Sequence, residues 1–166
     1  TYAGSRSEQT LPKVVSLFSG AGGLDLGFQQ AGFPLSFAAD ISTAAVQTHR
    51  RNFRKTLAVV ADLTELGPDG VLSYLEPLLS DGESIGVIGG PPCQGFSRGN
   101  TQSTTEDPRN QLPLLYLQIV EALQEKYTVE FVLFENVLGI RDSKHLTTFN
   151  GILEKFSDIG LTANAE

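Results

Sequence analysis

The sequence predicts an α/β fold, a mostly parallel sheet with helices on both faces. Short apolar runs alternate with helix-period stretches five times over, the pattern of a parallel sheet wrapped by helices. Each run also ends on a polar or glycine signal: a glycine-rich turn, then Asp40, Asp62, Cys93 and Glu135. Parallel strands put all their carboxyl ends on one edge, so these five signals should converge there. That edge is where ligands bind in open α/β sheets. At 166 residues, 40% apolar and 19% charged, the chain suits one domain that buries about 70% of its unfolded surface.

In order, residues 1–12 form a polar, flexible lead-in ending at Pro12, and the domain occupies 13–166. Residues 13–18 (Lys-Val-Val-Ser-Leu-Phe) read as the first strand. Ser19-Gly20-Ala21-Gly22-Gly23 follows as a turn. Leu24, Gly27, Phe28 and Ala31 then make a helical stripe that Gly32 stops. Residues 35–39 are a second strand, 43–53 a helix, and 56–61 a third strand. Residues 69–79 have helical character, with Pro77 expected to break or kink them. Residues 84–88 are a fourth strand. The polar, aperiodic stretch 96–110 has the length of a lid or binding loop. Leu112, Leu115, Ile119 and Leu123 mark a helix that Pro113 helps to start. Residues 129–134 are a fifth strand. Leu146, Phe149, Leu153 and Phe156 mark a last helix stopped by Gly160, and Leu161 could open a sixth strand.

Charge and composition exclude several classes. A net charge of −7 speaks against a large phosphate-binding surface on this stretch alone. One cysteine rules out an internal disulfide and fits a reducing compartment. Two histidines without clustered ligands argue against a structural zinc. No run approaches the ~20 apolar residues of a membrane span, and the start carries no signal-peptide pattern. The chain begins at Thr1 and holds no methionine, which reads as part of a longer product.

The rigid corner Gly89-Gly90-Pro91-Pro92-Cys93 presents the lone thiol just past a strand end. Two glycines permit the sharp turn and two prolines stiffen it. The glycine turn after strand one opens a helix and suits a polar ligand. It fails the dinucleotide pattern G-x-G-x-x-G, since the sixth position from Gly20 is Asp25, an acid that would repel a pyrophosphate. Asp40, about 20 residues past Gly20, stands at the distance from which an acid reaches ribose hydroxyls. Asp62 could accept from an adenine amino group. The pair describes a pocket for an adenosine cofactor without a diphosphate, although each acid alone is more readily a cap or turn residue. Glu135 ends a very apolar strand, where partial desolvation would raise its pKa and suit it to acid catalysis. His49 and His145 read as surface or packing residues away from this edge.

Assembled, these stretches resemble the DNA (cytosine-5)-methyltransferase family over about residues 13–165. Leu17-Phe18-Ser19-Gly20-Ala21-Gly22-Gly23 is similar to the family's cofactor turn, and Gly89-Gly90-Pro91-Pro92-Cys93-Gln94-Gly95-Phe96-Ser97 to its catalytic loop. Asp107-Pro108-Arg109-Asn110-Gln111-Leu112 resembles the segment after that loop, and Phe134-Glu135-Asn136-Val137 its Glu-Asn-Val motif. The resemblance implies a Rossmann-like methyltransferase fold, incomplete at its C-terminus, with S-adenosylmethionine as cofactor and S-adenosylhomocysteine as product. It implies Phe18 on the adenine, with Gly20, Gly22, Gly23 and Leu24 around the methionine part. Asp40 would take the ribose, Ile41 the adenine face and Asp62 the adenine amino group. Leu112 would line the methionine end, and Leu63 joins this set. Cys93 would be the nucleophile and Glu135 its partner at a flipped-out cytosine, with Pro92 and Asn136 beside them. Gln94, Ser97 and Arg98 would contact the DNA backbone.

The resemblance further implies DNA as partner, a restriction-modification or related setting, and a cytoplasmic or nuclear rather than secreted location. Two departures stand out. Ser16 occupies a position where the family usually has an acid, with a modest expected effect on the turn. The family's target-recognition region would lie beyond Glu166, and with it the basic surface. The alternatives are the same chemistry on tRNA and an inactive module that keeps the fold. Amino-group methylation is disfavoured, because Cys93 stands where those enzymes carry an aromatic residue.

Overall fold

The computed structural model describes residues 10–92, 111–136 and 146–164. The elements are β1 (Lys13–Leu17), α1 (Gly23–Gln30), β2 (Leu35–Asp40), α2 (Thr43–Asn52), β3 (Leu57–Val60), α3 (Leu63–Leu75), β4 (Ser84–Gly89), α4 (Leu112–Gln124), β5 (Thr128–Phe134) and α5 (Leu146–Asp158). The five strands form one sheet in the order β3-β2-β1-β4-β5. Every neighbouring pair is parallel.

Alternation along the strands sorts the apolar side chains onto two faces. Val15, Leu17, Phe37, Ala39, Ile85 and Val87 pack with Val71 and Leu75 of α3 and with Tyr116, Val120 and Leu123 of α4 in the main core. On the other face Ala38 and Ala58 meet Val46 of α2. The expected sheet with helices on both faces is therefore present. From β1 the chain steps outward to β2 and β3, then returns to place β4 on β1's other side. That reversal makes the gap between β1 and β4 the topological switch point, where α/β sheets open a crevice at the strands' carboxyl ends.

One register row fixes the geometry of that edge. Ala39 pairs with Leu17, Leu17 with Gly89, and Gly89 with Phe134. The segments that follow these residues therefore leave the sheet side by side. Neighbouring strands are about 4.8 Å apart, so the turn after β1 and the corner after β4 are adjacent.

Two expectations need correction. The third helix starts earlier than residue 69. Asp62 caps a first turn at Leu63, Gly67 breaks it with φ 62 and ψ −178, and Pro68 restarts it. The helix ends at Leu75 with Glu76 as its cap, and Pro77, which has no N–H to continue the ladder, breaks it as expected, short of residue 79. No sixth strand forms at Leu161: residues 161–164 carry no regular structure, and Gly160 only turns the chain with φ 78. The expected loop 96–110 lies outside the described residues.

Candidate functional site

The turn after β1 is shaped from both sides. Phe18 adopts φ 54, the one left-handed non-glycine among the described residues, a conformation that persists only where surrounding structure holds it. Ser19 N donates to Ala39 O (3.0 Å) and Gly22 N to Ser19 O (3.0 Å). Gly20 N donates to Asp40 Oδ2 (2.8 Å). Gly22 caps α1 at φ 91. A methyl group on Gly22 would collide with the Phe53 ring and lie 2.9 Å from His49 Cδ2, whereas one on Gly20 or Gly23 would meet nothing within 4 Å. The turn is thus packed on its inner side and open on its outer side. Leu24, next in α1, is half-buried.

Asp40 is a structural acid and a site acid at once. Its second oxygen accepts from Ser42 N at 2.8 Å, so both oxygens hold backbone. A carboxylate has about four acceptor positions, which leaves capacity for two ligand hydroxyls. Ile41, beside it, is 67% exposed, an apolar side chain held out on the rim. Asp62 does act as a helix cap. It accepts from Thr64 Oγ1 (2.6 Å) and Thr64 N (2.9 Å), and the Thr64 hydroxyl, then its amide, hold the carboxyl below its ordinary value of 3.8. Leu63 is buried in the main core, so its backbone rather than its side chain borders the rim. Leu112 opens α4 and is half-buried.

At the switch point, Gly89 closes β4 with no room for a side chain. A methyl there would strike Leu17 O and lie 2.8 Å from Tyr116 Cε2. The Tyr116 hydroxyl bonds to Val87 O (3.2 Å) and Leu133 O (3.0 Å), tying β4 to β5 beneath the rim. Burial pushes its pKa up. Glu135 N donates to Gly89 O at 2.8 Å, and a methyl on Gly90 would lie 2.8 Å from Glu135 Oε2. The corner leading through buried Pro91 and exposed Pro92 to Cys93 therefore starts against the Glu135 carboxylate. Cys93, Gln94, Ser97 and Arg98 themselves lie outside the described residues. Asn136 is half-buried next to Glu135. One expectation fails: Glu135 is exposed rather than partly desolvated. It stands one residue past the end of β5, beyond the apolar layer.

A buried polar cluster went unread in the sequence. Asp25 and His49 are fully buried and Ser16 nearly so. Ser16 Oγ donates to Asp25 Oδ2 (3.0 Å), and His49 Nε2 lies 3.0 Å from Asp25 Oδ1. His49 is therefore under the glycine turn and not away from this edge; His145 lies outside the described residues. The spacing Val46, His49, Phe53 is an i, i+3, i+7 stripe, and it could have placed this histidine on the sheet-facing side. Among the described residues no group of three or more His, Cys, Asp or Glu could hold a metal ion. None of their helices is long and apolar enough to cross a membrane.

Similarity to known proteins covers nearly all of the chain. The profile of the family described as C-5 cytosine-specific DNA methylase matches residues 12–166. The type II methyltransferase M.FnuDI of Fusobacterium nucleatum is 36% identical over 89% of this chain and 39% of its own length. M.XorII of Xanthomonas oryzae pv. oryzae is 39% identical over 91% of this chain and 34% of its own length. Among solved structures, a prophage-encoded DNA modification methyltransferase (E. coli) superposes with a TM-score of 0.72 at 36% identity, over 89% of this chain and 38% of that one. A mutant DNMT2 of Spodoptera frugiperda gives 0.59 at 26%, over 87% of this chain and 41% of that one. The chain thus spans well under half the length of these relatives.

Proposed function

The chain belongs to the family of C-5 cytosine-specific DNA methylases, and from that premise we propose that it carries the cofactor site and the reacting groups of an enzyme that methylates carbon-5 of cytosine in DNA. The observation that carries this reading is the row Leu17–Gly89–Phe134, from which the glycine turn, the Cys93 corner and Glu135 leave the sheet together. The residues present fit S-adenosylmethionine. The turn is open at Gly20 and Gly23, Asp40 keeps acceptor capacity for a ribose, and exposed Ile41 offers an apolar face to adenine. Phe18 belongs to the same proposed cradle, as do Gly22, Leu24, Asp62, the Leu63 backbone and Leu112. When bound, this cofactor supplies an electrophilic methyl group on a sulfonium.

The protein's own groups do the rest. Carbon-5 of cytosine is a poor nucleophile. The Cys93 thiol gives up its proton to a base, and the bond its sulfur then forms to carbon-6 pushes electron density onto carbon-5, which is nucleophilic catalysis. Glu135 gives a proton or hydrogen bond at N3, where negative charge develops. After methyl transfer, loss of the carbon-5 proton to a base returns the electron pair, and the sulfur–carbon-6 bond breaks. The base cannot be reached within a duplex, so it is flipped out. Pro92 and Asn136 hold the two reacting residues, and Gln94, Ser97 and Arg98 are the candidates for backbone contacts. An RNA acceptor is the competing reading. The family's description as C-5 cytosine-specific DNA methylase, and that of the prophage protein as a DNA modification methyltransferase, favour DNA.

DNA containing 5-fluorocytosine tests the chemistry, because fluorine at carbon-5 leaves no proton to lose. The full-length protein should trap a covalent adduct with S-adenosylmethionine present, and Cys93→Ala should form none. Glu135→Gln should slow turnover by about 100-fold or more, with cofactor affinity changed less. Turnover by Cys93→Ala at the wild-type rate would refute the assignment, and a preference for tRNA over duplex DNA would shift the substrate class.

A further inference from the structure

The chemistry proposed above leaves one buried polar cluster unused. Ser16 on β1, Asp25 on α1 and His49 on α2 join three elements directly beneath the glycine turn. We propose that they form a positioning unit that holds the turn in the shape that accepts the cofactor. The inference rests on the reading of that turn as the cofactor's seat.

The hydrogen-bond roles follow if Asp25 carries its charge and His49 is neutral. An ionised Asp25 carboxylate only accepts, so Ser16 donates to one oxygen and the His49 Nε2–H to the other. That leaves His49 Nδ1 as an acceptor, and it is buried with no partner among the described residues. Packing alone would be served better by an apolar ring or branch, since a buried acceptor without a partner destabilises. The histidine is kept for its Nε2–H, which fixes the rotation of the ring. That rotation matters at Gly22. His49 Cδ2 is 2.9 Å from where a Gly22 side chain would start, and the Phe53 ring lies alongside with centroids 4.4 Å apart. Asp25 also sits in the first turn of α1, the helix that the glycine turn opens. A ring free to turn would let Gly22 and the head of α1 settle inward. Buried polar networks of this kind select one conformation rather than add stability.

The test uses the full-length protein and three variants. His49→Leu keeps bulk but loses the donor, His49→Gln restores a donor at similar reach, and Ser16→Ala removes the other donor with little change in volume. The readouts are the Kd for S-adenosylhomocysteine, KM and kcat for S-adenosylmethionine, and Tm. His49→Leu should raise Kd and KM about tenfold, the equivalent of one lost buried hydrogen bond. Its kcat at saturating cofactor should stay within about twofold, and His49→Gln should recover most of the affinity. Ser16→Ala should shift Kd in the same direction, and it carries the test if His49→Leu does not fold. A fall in Tm with Kd unchanged in both His49→Leu and Ser16→Ala would mean the cluster only supports the fold. Wild-type protein that binds no S-adenosylhomocysteine would instead overturn the proposed function, and this inference with it.

Discussion

Adjacent glycines in one turn should fail in opposite ways. Gly22 is buried at φ 91, and its side faces Phe53 and His49, which are 3% and 0% exposed. Gly22→Ala must therefore strain the left-handed backbone, at about 1–2 kcal/mol. It must also overpack rings with no room to withdraw, at about 1–3 kcal/mol. The two together give roughly 3 kcal/mol of lost stability. Gly23 is the first residue of α1, at an ordinary backbone conformation, and its side is open. Gly23→Ala should leave stability unchanged or raise it by up to about 0.5–1 kcal/mol, while its methyl group projects into the cofactor's place. Urea denaturation reads the first effect, as a lower midpoint at constant slope. Titration with S-adenosylhomocysteine reads the second, as a loss of about tenfold or more, which is 1.4 kcal/mol. Gly22→Ala as stable as wild type would disprove the packed inner side. Gly23→Ala with full cofactor affinity would show that the open side is not the seat.

Two further predictions use ionisable groups beneath and on the rim. Tyr116→Phe removes a buried hydroxyl that bonds to two strand carbonyls and should cost about 1–2 kcal/mol near neutral pH. Because burial raises the phenol's pKa, wild-type stability should fall as pH climbs past the unfolded value of 10.0. Tyr116→Phe should lack that part of the slope, and parallel curves for the two proteins would contradict the burial. Asp62 runs the other way: its carboxyl is held below 3.8, first by the Thr64 hydroxyl. It therefore stabilises above pH 3.8, and that contribution is lost as pH falls through the lower folded value. In Thr64→Val an NMR titration of Asp62 should move back up toward 3.8, and an unmoved titration would mean that the amides alone set it.

Much of this was legible because strand ends announce themselves. The apolar runs and the glycine, Asp40, Asp62 and Glu135 signals placed five strands and one rim. What stayed hidden depended on contacts between elements distant in sequence. Asp25 reads in the sequence only as a helix-opening acid that would repel a pyrophosphate, because nothing local shows that Ser16 and His49 meet it. Gly67 hid the start of α3, since a left-handed glycine before a proline reads as a break when it is only a kink between two helical pieces. Glu135 followed so apolar a strand that burial was expected, but its side chain begins one residue past the layer those apolar residues form. The register row could not be read from the strands one at a time, because it is a property of their pairing.

The distribution of charge bears on how an acidic chain would serve the proposed reaction on DNA. Among the described residues the cations gather at the amino edge of the sheet. Lys13 opens β1, Arg50 and Arg51 lie in the last turn of α2, Arg54 and Lys55 lie between α2 and β3, and Lys126 precedes β5. Lys155, in the last turn of α5, is paired with Asp158. The rim holds Asp40, Asp62 and Glu135 and none of these seven. Strands of four to seven residues separate the two edges by about 13–23 Å. That exceeds the screening length of about 8 Å at physiological salt, so the amino-edge cations offset the rim's field only weakly. A rim of carboxylates attracts a sulfonium and an ammonium group and repels phosphate, which matches a cationic adenosine cofactor better than a dinucleotide. Phosphates approaching Cys93 need other partners. Arg98, Arg109, Arg141 and Lys144 fall in the sequence directly after β4 and β5, so the cations closest in sequence to the reacting groups are carried by the segments that follow those two strands.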